Sequence, residues 1–111
     1  ALIYPRAAAE LFDTGINMGA GVAVNFLQRA LNALNRGAGD FPDLKVDEII
    51  GPATLNALER YKRVRGAPGE TVLIKALDAL QGARYIDLAE RRPANEAFVY
   101  GWLANRIGQA A

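Results

Sequence analysis

A chain of 111 residues suits one compact domain and is too short for two ordinary hydrophobic cores. Its 13 Lys+Arg and 12 Asp+Glu nearly cancel to a net charge of +1, which argues against a nucleic-acid binder that works by neutralising phosphates. With no cysteine and no histidine there is no disulfide, no Cys- or His-built zinc site and no Ser-His-Asp or Cys-His nucleophile, and no apolar run is long enough to span a bilayer.

The opening Ala1-Leu2-Ile3-Tyr4-Pro5 is too short and uncharged for a signal peptide and reads as the cut end of a longer protein. Pro5 can open a first helix through Ala7 to Phe12, before Gly15, Gly19 and Gly21 weaken it. From Val22 the apolar positions Phe26, Leu27, Ala30, Leu31 and Leu34 recur at steps of three and four, an amphipathic helix that Gly37 is placed to end. Gln28, Arg29, Asn32 and Asn35 fall on its other face. Residues 37–51 read as an ordered loop, briefly extended at Lys45-Val46. Pro52 starts a helix to about Val64 with Leu55, Leu58 and Tyr61 on one face, and its basic residues Arg60, Lys62, Arg63 and Arg65 spread round the cylinder as solvated charge.

Gly66, Pro68 and Gly69 break the chain, and a long helix follows from Glu70 through Leu73, Ala76, Leu77, Leu80, Tyr85 and Leu88, where Gly82 either bends it or costs some stability. Pro93 ends that helix, and Asn95 to Ile107 forms the last one, with Phe98, Trp102 and Leu103 facing inward. No segment alternates like a strand, so the fold class is all-α, a small bundle of about four to five helices.

Two stretches carry more than periodicity. Phe26-Leu27-Gln28-Arg29-Ala30-Leu31-Asn32, followed by Val46-Asp47-Glu48-Ile49-Ile50-Gly51-Pro52-Ala53-Thr54-Leu55, resembles the helix-loop-helix of peptidoglycan-binding modules. The reading of this turn is mainly architectural: Gly51 lets the chain turn, Pro52 begins the helix, Thr54 bonds locally, Asp47 braces the turn and Gln28 satisfies a backbone group. Glycine is usual in such modules where Glu48 stands, so Glu48 must accept a left-handed backbone or alter the turn.

The second stretch, Phe12-Asp13-Thr14-Gly15-Ile16-Asn17-Met18-Gly19, resembles the Asp-x-x-x-Asn-x-Gly segment of the family 108 glycoside hydrolases, N-acetylmuramidases of phage lysis systems and secretion-linked bacterial lysozymes. Arg84-Tyr85, Arg92-Pro93, Phe98 and Gly101-Trp102 resemble that family's C-terminal end, and the similarity runs from about residue 8 to 107. The resemblance implies a lysozyme-like C-terminal half, a single domain over residues 1–111 within a longer muramidase that cleaves the β-1,4 bond between N-acetylmuramic acid and N-acetylglucosamine. It implies no metal or cofactor, and peptidoglycan glycan strands as partner in the periplasm or cell wall, reached by secretion or phage lysis. The family's catalytic glutamate belongs to an N-terminal Glu-Gly-Gly segment that does not occur here, and Glu10 in Ala-Ala-Glu-Leu-Phe does not inherit it, so no catalytic residue is assigned.

Candidate substrate-binding residues are Asp13, Asn17, Gly19 and Tyr85. Asp13 and Asn17, four apart, either face a glycan cleft or brace a helix end. Tyr85 either stacks on a sugar or packs in the core, while Trp102 is read as core. Two other functions stay open beside the muramidase reading: a self-sufficient, non-catalytic cell-wall binding module, and a helical protein-interaction domain of a secretion system.

Overall fold

A computed structural model describes residues 3–36 and 39–105. Among the described residues there are four α-helices and no strand: α1 Pro5–Met18, α2 Ala20–Ala33, α3 Pro52–Arg91 and α4 Glu96–Asn105, with a short 3-10 turn Pro93–Asn95 before α4.

The first helix runs straight through Gly15 and stops only at Gly19, whose φ of 101° and ψ of 148° form the joint to α2. A side chain there would meet nothing within 4 Å, so conformation and not space requires the glycine. The second helix starts two residues earlier than its apolar pattern predicts and ends at Leu34, whose N–H donates to Ala30 O at 3.0 Å. Its expected terminator, Gly37, lies outside the described residues.

Leu27, Leu31, Tyr61, Leu73, Ile74 and Leu77 are almost wholly buried where α1, α2 and α3 meet. Burial of such side chains contributes roughly 1.5–3 kcal/mol each. A smaller cluster of Tyr85, Val99 and Trp102 fixes α4 to the end of α3, and Met18 packs against both clusters.

The break expected at Gly66-Pro68-Gly69 is a kink inside one helical run: Gly66 has φ 63° and ψ −152°, and helical geometry resumes beyond it. Two tyrosines occupy the hinge. Tyr4 donates its hydroxyl proton to Gly66 O at 2.7 Å, and Tyr61 donates to Gly69 O at 2.8 Å. A Cβ on Gly69 would lie 2.3 Å from Arg65 Cβ and 3.1 Å from Tyr4 Oη, so this glycine is required by close packing. Gly82 sits in regular helix.

The loop after α2 is held by amides. Asn32 donates to Leu44 O and accepts from Leu44 N; Asn35 donates to Phe41 O and accepts from Asp40 N and Phe41 N. Gln28 does the same one turn earlier. These residues therefore face the returning chain: Gln28 and Asn35 are buried and Asn32 is half-buried. Their side chains supply the bonds that a strand pairing would otherwise give, so Lys45-Val46 needs no partner strand.

Other faces are rotated from expectation. Leu55 is exposed while Thr54 and Ala57 point inward, because the first turn of α3 packs against Gln28. In α4 the buried stripe is Val99 and Trp102, three apart, leaving Phe98 and Leu103 exposed; Ile107 lies outside the described residues. The basic residues Arg60, Lys62, Arg63 and Arg65 are all exposed.

Candidate functional site

The Asp47–Thr54 turn is built around Gln28. Its Nε2 reaches Asp47 Oδ1 at 3.0 Å, Ile49 O at 3.1 Å and Thr54 Oγ1 at 3.2 Å, while its Oε1 accepts the Glu48 N–H at 3.0 Å. Three acceptors compete for two amide protons, so one bond is shared. Asp47 Oδ1 also accepts the Ile49 N–H at 3.0 Å. The Gln28 bond, followed by that Ile49 bond, holds the Asp47 carboxyl below its ordinary value.

The backbone turns at Glu48, with φ 64°, and not at Gly51, which has φ −123° and ψ −172° and open space where a Cβ would lie. The turning role expected of Gly51 is thus corrected: Gly51 is the residue that precedes α3, its carbonyl accepting Leu55 N at 3.1 Å. Glu48 is the non-glycine residue with a left-handed backbone among those described, a conformation costing on the order of 1–2 kcal/mol. Its carboxylate lies over Gly21, where any Cβ would come within 2.8 Å of Oε1, and its Oε2 accepts from Asn25 Nδ2 at 3.4 Å.

A cleft of about 300 Å³ opens where the end of α1, the last turns of α3 and the start of α4 meet. It brings together Asn17, Arg84, Tyr85, Asn95 and Phe98. Of the residues singled out in the sequence, Asn17 and Tyr85 line it; Asp13 and Gly19 do not. Tyr85 is only 3% exposed, its ring 4.8 Å from that of Trp102 and 5.3 Å from that of Phe98, so burial favours the packing reading. Phe98, 58% exposed, offers the accessible ring. Asn95 donates to Leu88 O at 3.4 Å, which ties the 3-10 turn to α3 and sets the cleft wall. The sequence reading named neither Asn95 nor Phe98 as a binding residue, because the cleft is assembled from separate elements and follows no single period.

A larger groove of about 490 Å³ lies between α1 and α2, beside exposed Phe12, Ile16 and Ile50. Every side chain lining it is apolar, so it lacks the hydrogen-bonding groups that orient a sugar. The cleft at Asn17 supplies amides, a guanidinium and a ring. Among the described residues no group of acidic side chains could hold a metal ion, and no helix is long and apolar enough to cross a membrane.

Among known families, the model of one described as a predicted peptidoglycan domain fits residues 22–107. This span holds the Gln28 turn, the kinked helix and all the cleft residues except Asn17 and Met18. No curated protein matches the chain.

Proposed function

The chain belongs to the predicted peptidoglycan-domain family, and from that premise we propose that it is the glycan-recognition part of a muramidase, acting at the bacterial cell wall. Peptidoglycan recognition is the function the family supports. The finer reading rests on the resemblance of residues 12–19 to the muramidase segment and on the cleft that Asn17 enters.

The observation that carries the reading is the meeting of Asn17, Arg84, Asn95 and Phe98 around one cavity. Amides suit N-acetyl and hydroxyl groups, and an exposed ring suits the apolar face of a pyranose. Tyr85 packs against the Phe98 ring and is itself packed against Trp102. In this reading residues 1–111 form one domain of a longer enzyme, and cleavage of the N-acetylmuramic acid–N-acetylglucosamine bond requires a carboxylic acid supplied outside it.

Binding of the chain to purified sacculi, competed by soluble glycan fragments, tests the proposal. Retention on sacculi that Asn17→Ala and Phe98→Ala both weaken, with the melting temperature held, supports the cleft. Retention unaffected by either substitution would move the glycan site elsewhere.

A further inference from the structure

Beside the glycan cleft runs a second polar cavity of about 310 Å³, the groove between α2 and α3. We propose that this groove is a second subsite that takes a free amino–carboxylate end, in peptidoglycan that of the un-cross-linked diamino acid in the stem peptide. The inference rests on the peptidoglycan reading above and deepens it.

Both signs of charge line the groove. Arg29 comes from α2, Arg84 from α3 and Glu48 from the turn, with Asn25 beside them and Phe26 and Leu80 as apolar wall. None of the three charged residues forms an ion pair among the described residues, and the Glu48 carboxylate accepts a bond from the Asn25 side chain at 3.4 Å. A guanidinium reads a carboxylate in two parallel bonds, while a carboxylate accepts from an ammonium. N-acetylated sugars carry no ammonium. In a stem peptide that is not cross-linked, the side chain of meso-diaminopimelate carries one on the same carbon as a carboxylate.

Glu48 supplies the strongest indication. As a turn residue at φ 64° it is inferior to glycine, and strained residues of this kind persist where the side chain serves a site. Gly21 complements it, since a Cβ there would lie 2.8 Å from Glu48 Oε1 and displace the carboxylate from its place. Arg84 lines both the groove and the glycan cleft. A stem peptide leaving a sugar bound at Asn17 would pass Arg84 into the groove.

The test is titration of the whole chain with three probes: the tripeptide N-acetyl-L-Ala-γ-D-Glu-meso-diaminopimelate, the same tripeptide acetylated also on the diaminopimelate amine, and the peptide-free disaccharide of N-acetylglucosamine and N-acetylmuramic acid. Acetylation should weaken tripeptide binding by about tenfold or more, the worth of one charge-assisted hydrogen bond. Glu48→Gln should weaken it equally, erase the difference between the two tripeptides and leave the disaccharide unaffected. Glu48→Gly relaxes the backbone, so its loss of tripeptide binding would not reflect unfolding.

Equal affinity for both tripeptides overturns the subsite, as does a Glu48→Gln variant that binds normally and only melts lower, which would make Glu48 a helix N-terminal charge for α2. Disaccharide binding without tripeptide binding rejects the subsite and leaves the peptidoglycan reading standing. Failure of all probes and of purified sacculi removes both.

Discussion

The Glu70 carboxylate accepts the backbone N–H of Arg6 at 2.8 Å, across 64 positions of sequence, and that of Ala7 at 3.2 Å. Helix α1 has no capping side chain of its own, since Tyr4 at its N-cap makes no such bond. Glu70, just past the kink of α3, therefore caps α1 from outside and places a negative charge at its positive pole. The same carboxylate meets Arg6 Nε at 3.2 Å.

Glu70→Ala should then cost about 1–3 kcal/mol, the loss of a charged cap together with buried donors left unpaired. Urea unfolding measures it. A denaturation midpoint equal to the parent's would mean that water replaces the carboxylate without cost.

Alkaline pH should loosen the hinge. Burial, with Tyr61 and Glu70 adding to it, pushes the Tyr4 phenol up to about 12, against 10.0 for the ordinary group. The folded chain thus holds a proton that the unfolded chain releases near pH 10. The contribution is complete below that value and is lost as pH rises through about 12. Burial raises Tyr61 in the same direction. The melting temperature should fall between pH 10 and 12, and less steeply in Tyr4→Phe, which also forfeits the bond to Gly66 O. Parallel pH curves for the two proteins would show that Tyr4 is not the titrating group.

Much of this architecture was legible in the sequence. Proline and glycine punctuation located the start of α1, the kink and the end of α3, because those residues act through their own backbone. The loop was not legible. Asn32 and Asn35 are polar at helical spacing, which reads as a solvated face unless one knows that the chain returns to cover it. For the same reason Thr14 and Gln81, bonded to each other in the interior, look like surface residues until α1 is laid against α3. At the cleft, Asn17 was found through a motif, whereas Asn95 and Phe98 required the placement of α4.

Gly51 and Gly66 should respond in opposite ways to alanine. Gly51 is extended with free space at its Cβ position, so Gly51→Ala should cost well under about 1 kcal/mol. Gly66 has φ 63° and ψ −152°, a region essentially confined to glycine, so Gly66→Ala should cost about 1–3 kcal/mol. Thermal melts of the two variants suffice, and a larger loss at Gly51 would reverse the assignment of the strained turn.

The chain on its own should not lyse cells. It lacks the Glu-Gly-Gly segment, and nothing else in the sequence supplies that acid by motif. Turbidity loss of permeabilised Gram-negative cells at the rate of a whole lysozyme would show that another carboxylate does the chemistry.

The last prediction separates two residues that the sequence pairs. Asp13 and Asn17 stand one turn apart on α1, both exposed, and a shared motif invites a shared role. The cleft divides them: Asn17 lines it with Arg84 and Asn95, and Asp13 is not among its walls. Asn17→Ala should therefore weaken binding of glycan fragments by about tenfold, one or two hydrogen bonds' worth, at little cost in stability because the side chain is exposed. Asp13→Ala should leave that affinity in place. NMR titration gives the affinities and also the footprint: shifts on adding fragment should gather at residues 17, 84, 95 and 98. If both substitutions weaken binding alike, the glycan lies along the outer face of α1 and the cleft is not its seat.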